Sequence, residues 1–216
     1  MTVLDIRNRI SGITDEQAGK FIRFYEMLIS ANEYMNLTAI TEEKEVIEKH
    51  FLDSLLPIDL IEKEARVIDI GTGAGFPGIP IKIIRPDIDL TLIDARNKRV
   101  GFLKELLDEL NLKAETFHAR AEDLVKFPEY SGAFDTVLTR AVAPLETLIK
   151  WTAQYLKLGG ESIMYKGPGV LSEMKAAERE AKFFGVTLTI KQYEANWGER
   201  NMVIAKRTEK IKKNKN

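Results

Sequence analysis

Apolar side chains recur at three- and four-residue spacing in the first sixty residues, which predicts amphipathic helices. The clearest stripe consists of Phe21, Phe24, Tyr25, Leu28 and Ile29. Thr14 and Gln17 have the spacing of a capping box, so this helix is predicted to begin after Thr14. The polar segment 32–40 is predicted to be a loop, and a second helix is predicted to run from Thr41 through Leu55.

From residue 65 onward, short apolar runs that suit β-strands alternate with longer helical patterns. The predicted strands are 65–70, 89–94, 114–119, 134–141 and 159–166, and the helices between them are 77–84, 97–110 and 145–156. This alternation is typical of an open, mostly parallel sheet with helices on both faces. The sequence therefore predicts an α/β, Rossmann-like doubly wound fold that follows an N-terminal helical extension.

The last two apolar runs, 186–194 and 201–207, break this alternation. Only residues 195–200 join them, whereas parallel neighbours need a much longer crossover. The two runs are therefore predicted to form an antiparallel pair, so that a reversed strand ends the sheet. The predicted organisation is a helical extension over 1–62, a sheet domain over 63–208 and a basic tail over 209–216.

Composition argues against several classes of function. The chain has no cysteine and only two histidines, His50 and His118, so neither a disulfide nor a metal centre is expected. The first nine residues have no signal-peptide core, and no apolar run has the length that crosses a bilayer. We therefore expect a cytoplasmic monomer that does not use a membrane, and the lack of cysteine fits a reducing compartment. The net charge of −1 argues against a general attraction to nucleic acid.

The segment DIGTGAGFPGIP, residues 69–80, follows the first strand of the predicted sheet. Glycines at this point let a ligand approach the backbone closely. Two patterns overlap here, and Gly73, Gly75 and Gly78 fit the first, the GxGxxG signature of dinucleotide-binding folds. The second pattern, D-x-G-x-G-x-G, consists of Asp69, Gly71, Gly73 and Gly75.

Three features favour the second pattern. Gly73 lies two residues too late for a dinucleotide loop, and Pro77 and Pro80 lack the N–H groups that bind a pyrophosphate. A carboxylate at Asp69 would repel a pyrophosphate but would favour a cationic ligand. The second pattern resembles motif I of S-adenosylmethionine-dependent methyltransferases, whose cofactor has an amino group, a carboxylate and a sulfonium but no phosphate. S-adenosylmethionine is therefore the expected cofactor.

Residues at the ends of the next two strands would complete such a cofactor site. Asp94 ends the second strand and is placed to accept hydrogen bonds from ribose hydroxyls. Ala121 and Glu122 follow the third strand, at the rim where an adenine would lie. For Glu122, a solvated helix cap is an equally good interpretation.

The motifs that the chain lacks narrow the choice of methyl acceptor. Methyltransferases of exocyclic amines usually carry [ND]PP[YF] after the fourth strand, but residues 139–145 read TRAVAPL. Without cysteine, neither addition to pyrimidine C5 nor an iron–sulfur radical mechanism is possible. The remaining acceptors are already nucleophilic. Guanine N7 is one of them and needs only alignment and desolvation, while carboxylates and small-molecule oxygens stay open.

A more specific resemblance rests on motifs beyond the glycine loop. They are, in order, NEYMNLTAI (32–40), KHFLDSLLP (49–57), VIDIGTGAGFPGIPIKIIRP (67–86), NKRVGFLKEL (97–106), RAEDL (120–124), TRAVAPL (139–145) and YKGPG (165–169). Over residues 32–169 the chain resembles the bacterial 16S ribosomal RNA guanine-N7 methyltransferase G family, formerly called glucose-inhibited division protein B. The resemblance implies methylation of N7 of a specific guanine in 16S ribosomal RNA or the small ribosomal subunit.

The resemblance also implies roles for single residues. Gly71, Phe76, Ala121 and Glu122 would contact the cofactor. Arg140, at the end of the fourth strand, would align the cofactor with the target base without acting as a general base, either by binding the cofactor or by holding an RNA phosphate.

Six polar residues are candidates for contact with the RNA: Asn36, His50, Arg96, Lys98, Arg99 and Lys166. The three basic residues that follow Asp94 suit phosphate contacts, although such a cluster is usually a solvated helix face. For His50 we favour a structural pair with Asp53 that docks the N-terminal helices. Asn36 equally fits an Asx turn, and Lys166 equally fits an ordinary surface lysine.

Two other functions are compatible with the sequence. The GxGxxG frame suits an NAD-dependent oxidoreductase, and a methyltransferase fold can also serve as a non-catalytic RNA-binding module. Binding of NAD would distinguish the first from a methyltransferase, and the lack of turnover would distinguish the second.

Overall fold

The computed structural model describes residues 1–212, and in that range seven strands form one sheet. The strands are β1 (Arg66–Ile70), β2 (Asp89–Asp94), β3 (Glu115–His118), β4 (Phe134–Arg140), β5 (Leu156–Lys166), β6 (Val186–Ala195) and β7 (Gly198–Arg207). Their spatial order is β3-β2-β1-β4-β5-β7-β6. Neighbours among β1 to β5 are parallel, whereas β7 is antiparallel to both β5 and β6. This confirms the predicted doubly wound sheet with a reversed strand near its end.

Helices connect the strands and precede the sheet. They are α1 (Val3–Arg9), α2 (Asp15–Met35), α3 (Glu43–Val46), α4 (Asp53–Leu55), α5 (Gly78–Ile84), α6 (Asn97–Glu109), α7 (Ala121–Leu124), α8 (Leu145–Tyr155) and α9 (Val170–Phe184). A π-helix, Ile47–Leu52, joins α3 to α4, and a 3-10 turn, Ile58–Leu60, follows. π-Helical turns are rare and often lie at functional sites.

Two faces of the sheet are covered, because successive side chains of a strand point to opposite sides. On β1, Val67 belongs to a core that includes residues of α2, α5 and α6. Ile68 and Ile70 belong to a second core, together with Leu124 of α7 and Tyr155 of α8. A third cluster packs α8 and α9 against β5 and β7.

The N-terminal helices belong to the first of these cores. Phe21 and Phe24 of α2 contact Phe51 of the π-helix at ring-centroid distances of 5.0 and 5.5 Å. Phe24 also stacks on Phe76 of the glycine loop at 4.9 Å. The extension is therefore packed beside the carboxyl end of β1, where doubly wound folds bind their ligands.

Several boundaries differ from the prediction. Helix α2 continues to Met35, so residues 32–35 are helical, and the predicted loop is confined to residues 36–40. The second predicted helix begins at Glu43 instead of Thr41, and β5 begins at Leu156. Helices α1, α7 and α9 were not predicted.

The predicted basic tail, 209–216, lies only partly in the described structure, since residues 213–216 are outside the described residues. Thr208 N and Glu209 N donate hydrogen bonds to Gly185 O, just after α9, at 2.9 and 3.0 Å. The start of the tail is therefore attached to the end of α9.

Candidate active site

The glycine loop joins β1 to α5 and is held by the neighbouring strand. Gly71 N donates to Ile93 O at 2.9 Å, and Gly73 N donates to Asp94 Oδ2 at 3.0 Å. Gly71, Gly73 and Gly75 have φ angles of 70°, 62° and 100°, a region that glycine adopts without strain. The loop therefore exposes backbone at the carboxyl edge of the sheet, as the glycine pattern predicts.

Asp69, in β1, holds this loop through hydrogen bonds from two residues of the loop region. Its Oδ2 accepts hydrogen bonds from Thr72 Oγ1 at 2.7 Å and from Gly78 N at 2.9 Å. The side chain is fully buried, and this burial raises the pKa of Asp69 to about 6. Its Oδ2 thus faces the loop's own donors, and the predicted contact of this carboxylate with a cationic ligand stays a prediction.

The start of α5 lies so close to the sheet that only glycine fits. A Cβ at Gly78 would lie 2.7 Å from Leu92 Cδ2 and 2.9 Å from Asp69 Oδ2. Gly73 is different, since the only atom within 4 Å of such a Cβ is Arg99 Nη1 at 3.9 Å. A larger residue is therefore excluded at Gly78 by lack of space, and disfavoured at Gly73 by the positive φ angle.

Two depressions open beside the loop, and Gly71 lines both. The first has a volume of about 270 Å³ and is mainly apolar. Its apolar walls include Ile70, Ile93, Ala121, Val142 and Trp151. Asp94 and Glu122 also line it. The structure therefore brings together the three residues that the sequence predicts to hold a nucleoside, Asp94, Ala121 and Glu122. Their contact with a cofactor stays a prediction.

The carboxylate of Asp94 is oriented by the backbone. Its Oδ1 accepts from Arg96 N at 2.8 Å, and its Oδ2 accepts from Gly73 N. Oδ2 also accepts from Arg99 Nη1 at 3.4 Å. A carboxylate offers about four lone-pair sites, so Asp94 retains the capacity to accept one further hydrogen bond from a ligand hydroxyl.

The second depression has a volume of about 380 Å³ and is more polar than the first, so we call it the polar depression. Residues 71–74 of the loop line it, together with Arg140 at the end of β4. The N-terminal extension contributes Thr38, His50 and Asp53. The wall of this site is therefore formed jointly by the extension and the sheet.

The guanidinium group of Arg140 is held by hydrogen bonds from both of its terminal nitrogens and by an aromatic ring against its face. Its Nη1 lies 3.2 Å from Asp53 Oδ2 and 3.4 Å from Lys49 O, and its Nη2 lies 3.3 Å from His50 Nδ1. Its Cζ lies 5.0 Å from the ring centroid of Phe76. Only 14% of the side chain is exposed. The guanidinium therefore has a defined orientation in the polar depression.

Phe76 supports both of these polar side chains. It is buried, stacks on His50 at 4.5 Å and contacts Phe24 on the core side. Phe76 therefore anchors the loop in the first core in addition to lining the depression.

His50 is neutral in this arrangement. Arg140 can only donate, so His50 Nδ1 accepts, and Nε2 carries the proton that is donated to Thr38 Oγ1 at 2.8 Å. Burial, together with the charge of Arg140, lowers the pKa of His50 to about 4. The predicted pair of His50 with Asp53 is wrong. In the described part of the chain both residues contact Arg140 instead.

Replacing His50 with glutamine is expected to change how stability depends on pH. The folded-state pKa of about 4 lies below the ordinary 6.5, so the unfolded chain binds the proton first. The contribution of neutral His50 is fully present above pH ~6.5 and decreases as the pH falls towards ~4. Between pH 7.5 and 5.0, protonation of His50 should lower the free energy of unfolding of the wild type by about 2 kcal/mol. The glutamine variant should lack this decrease. Urea unfolding of both proteins at both pH values measures this decrease. If the two proteins differed in free energy of unfolding by the same amount at both pH values, His50 would not be a buried neutral histidine with a lowered pKa.

The basic residues after Asp94 divide into two groups. Arg96 and Lys98 are exposed at the start of α6, where they are accessible to a phosphate backbone. Arg99 points inward, and its Nη1 lies 3.4 Å from Asp94 Oδ2. Arg99 also lines the polar depression, so it is nearer to the candidate site than the other two.

Two other predicted RNA contacts have structural partners or structural roles. Lys166 Nζ lies 2.6 Å from Glu173 Oε2, and only 12% of the lysine side chain is exposed. Lys166 is therefore not an ordinary surface lysine. Asn36 ends α2 in the left-handed conformation, with φ 51° and ψ 55°, a capping role that asparagine takes when glycine is absent.

The sequence pattern does not identify two residues that share Asp53 with Arg140. Trp197 Nε1 and Arg200 Nε both donate to Asp53 Oδ1, at 3.2 and 2.6 Å. Trp197 and Arg200 lie in the segment 195–200, which the sequence pattern predicts only as a connection between strands. The presence of an aromatic residue and an arginine in so short a connection was the only feature of the sequence that could have indicated a role beyond joining two strands.

Two absences hold for residues 1–212. None of their His, Asp and Glu side chains form a group of three or more that could hold a metal ion. None of the described helices combines the length and apolar character needed to cross a membrane.

Comparison with known proteins gives a consistent result. A family model described as rRNA small subunit methyltransferase G matches residues 17–203. A Carboxydothermus hydrogenoformans protein named Ribosomal RNA small subunit methyltransferase G is 46% identical over 209 residues, which are 94% of this chain and 88% of that protein. A Clostridium novyi protein of the same name is 41% identical over 199 residues, which are 89% of this chain and 82% of that protein.

The fold also resembles solved structures. A SAM-dependent methyltransferase from Aquifex aeolicus superposes with a TM-score of 0.58 at 16% identity, covering 77% of this chain and 94% of that chain. At this identity the likeness shows the fold, which is the doubly wound methyltransferase sheet.

Proposed function

The chain belongs to the rRNA small subunit methyltransferase G family and uses S-adenosylmethionine, and we propose that its methyl acceptor is N7 of a specific guanine in 16S ribosomal RNA. The observation that carries the proposal is the pair of depressions that share Gly71. One is apolar and holds Asp94, and the other holds a neutral His50 and an oriented Arg140.

The residues present fit this cofactor. When bound, S-adenosylmethionine supplies an electrophilic methyl group on a sulfonium. The glycine loop leaves its backbone accessible, and Asp94 keeps a lone pair for a hydroxyl donor. Apolar walls at Ala121 and Val142 suit a heterocycle.

We propose a cofactor-binding set that combines loop, strand ends and rim: Gly71, Gly73, Gly75, Phe76, Asp94, Ala121, Glu122 and Arg140. Asp69 belongs to this set indirectly, because it positions the loop through Thr72 and Gly78.

The polar depression favours an acceptor that needs no general base. Both ring nitrogens of His50 are engaged, Nδ1 by Arg140 and Nε2 by Thr38. Guanine N7 has an available lone pair at neutral pH, so the site's task is to align it. Alignment of reacting groups can contribute a large part of a rate enhancement. The guanidinium of Arg140 suits an anionic group, either an RNA phosphate or a cofactor carboxylate.

We propose that the exposed Arg96 and Lys98 contact RNA phosphates. The extension over 1–62 would pack on the core and form one wall of the site, and residues 63–208 would form the methyltransferase domain. The protein would act as a cytoplasmic monomer, and light scattering of the purified protein measures that state.

Methylation assays test the proposal directly. The substrates are 16S ribosomal RNA and intact small subunits from cells that lack this protein. We expect N7-methylguanine at one position, mapped by reductive strand cleavage. Calorimetry with S-adenosylhomocysteine and NAD should give binding of the nucleoside only. NAD binding alone would support an oxidoreductase, and nucleoside binding without turnover on either RNA would support a non-catalytic RNA-binding module.

A further inference from the structure

Asp53 connects the candidate site to the hairpin at the end of the sheet. Its Oδ2 accepts from Arg140 Nη1 at 3.2 Å, 87 residues away along the chain. Its Oδ1 accepts from Arg200 Nε at 2.6 Å and from Trp197 Nε1 at 3.2 Å. The carboxylate is 7% exposed. Each oxygen of one buried carboxylate thus serves a different part of the molecule.

This division of the two oxygens constrains Arg140. A buried carboxylate is stable only when its lone pairs are occupied. The hairpin donors occupy Oδ1, so the carboxylate offers Oδ2 to Arg140. Without them, Arg140 would be drawn into a bidentate pair with both oxygens, which is the preferred geometry of arginine and carboxylate. Its second nitrogen would then leave His50 Nδ1.

The backbone beside Asp53 is held independently of the hairpin tip. Tyr165 OH donates to Ser54 O at 2.6 Å, and Ser54 Oγ donates to His50 O at 2.5 Å. Loss of the hairpin donors is therefore expected to reorient the Asp53 side chain while its backbone stays in place.

We propose that Trp197 and Arg200, at the tip of the β6–β7 hairpin, position Arg140 for methyl transfer through Asp53. The inference rests on the proposed function, because that function requires an oriented Arg140. Trp197 and Arg200 are positioning residues, and their effect on the reaction depends on Arg140.

The test uses the full-length protein and compares matched variants of one hairpin. Arg200→Ala removes the charged one of the two hairpin donors to Asp53 Oδ1, and Arg200→Lys restores a cation with a different shape. Lys191→Ala is the control, because Lys191 also reaches from β6 to the N-terminal extension, with its Nζ 2.8 Å from Asp59 Oδ2. We expect Arg200→Ala to lower kcat on the order of 10-fold, with KM for RNA nearly unchanged and partial recovery in Arg200→Lys. Trp197→Phe should show a smaller loss, and Lys191→Ala should keep the wild-type kcat.

A double-mutant cycle identifies the route of the effect. If Arg200 acts through Arg140, then adding Arg200→Ala to Arg140→Ala should lower kcat no further. An undiminished second loss, or a loss confined to KM, would overturn the proposal and make Arg200 a direct RNA contact. Equal kcat values for Arg200→Ala and Lys191→Ala would also overturn it. Wild type that does not methylate 16S RNA or small subunits would instead overturn the proposed function.

Discussion

Replacing Arg140 with alanine is expected to lower kcat for methylation on the order of 10²–10³-fold while the protein stays folded. The variant removes a guanidinium that is fixed by Asp53, His50 and the face of Phe76. Asp53 keeps two donors from the hairpin tip on its Oδ1, so its charge stays paired with Arg200 although Oδ2 loses its donor. The loss of stability should therefore stay at about 1–3 kcal/mol. Single-turnover methylation and urea unfolding measure the two effects separately.

Arg66 offers a matched control for this variant. It is the first residue of β1, whereas Arg140 is the last residue of the parallel strand β4. Arg66 makes the same kinds of contact, with its Cζ 4.6 Å from the Phe134 ring centroid, its Nη1 donating to Glu129 O at 3.0 Å and its Nε 3.8 Å from Asp89 Oδ2. Arg66→Ala should lower stability and leave kcat near wild type. If both variants lost activity only in proportion to stability, Arg140 would have a structural role.

Most of the sheet could be predicted because its parallel strands are buried and appear as short apolar runs. The second strand, 89–94, matches β2 at both ends. Helix α9 could not be predicted in this way. Its buried positions are Val170, Ala177 and Ala181, and alanine favours a helix but adds little to an apolar stripe. The end of α2 was missed because residues 32–35 include polar side chains that are compatible with a loop.

The candidate site was predictable where its contacts are local. Gly73 and Asp94 lie 21 residues apart, within one strand–helix–strand unit, and such units have a recognisable spacing. The cluster around Asp53 has no such pattern, because Arg140 and Arg200 are 87 and 147 residues away. For the same reason the sequence predicts a near neighbour, Asp53, as the partner of His50, whereas its guanidinium partner lies 90 residues along the chain.

Replacing Asp69 with alanine is expected to weaken cofactor binding on the order of 10–100-fold and to lower the free energy of unfolding by about 2–4 kcal/mol. The physical reason is the loss of one acceptor with two buried donors, Thr72 Oγ1 and Gly78 N. Without it, the loop must be ordered by the ligand instead of being ordered beforehand, which reduces affinity. Calorimetry with S-adenosylhomocysteine and urea unfolding provide the two measurements. Asp135→Ala is a suitable control, because Asp135 Oδ2 also accepts a backbone N–H, from Arg66 at 2.8 Å, at the other end of β1.

Asp69→Asn separates two explanations of the same loss. If the carboxylate acts by holding the loop, asparagine keeps an acceptor for both donors and should retain most of the affinity. If its negative charge attracts a cationic ligand, asparagine should bind as weakly as alanine. We expect the first outcome, because Asp69 is fully buried beneath the loop and its Oδ2 accepts hydrogen bonds from two groups of the loop itself. Equal, weak affinity of Asp69→Asn and Asp69→Ala would contradict this and would assign the charge of Asp69 a direct role in ligand binding.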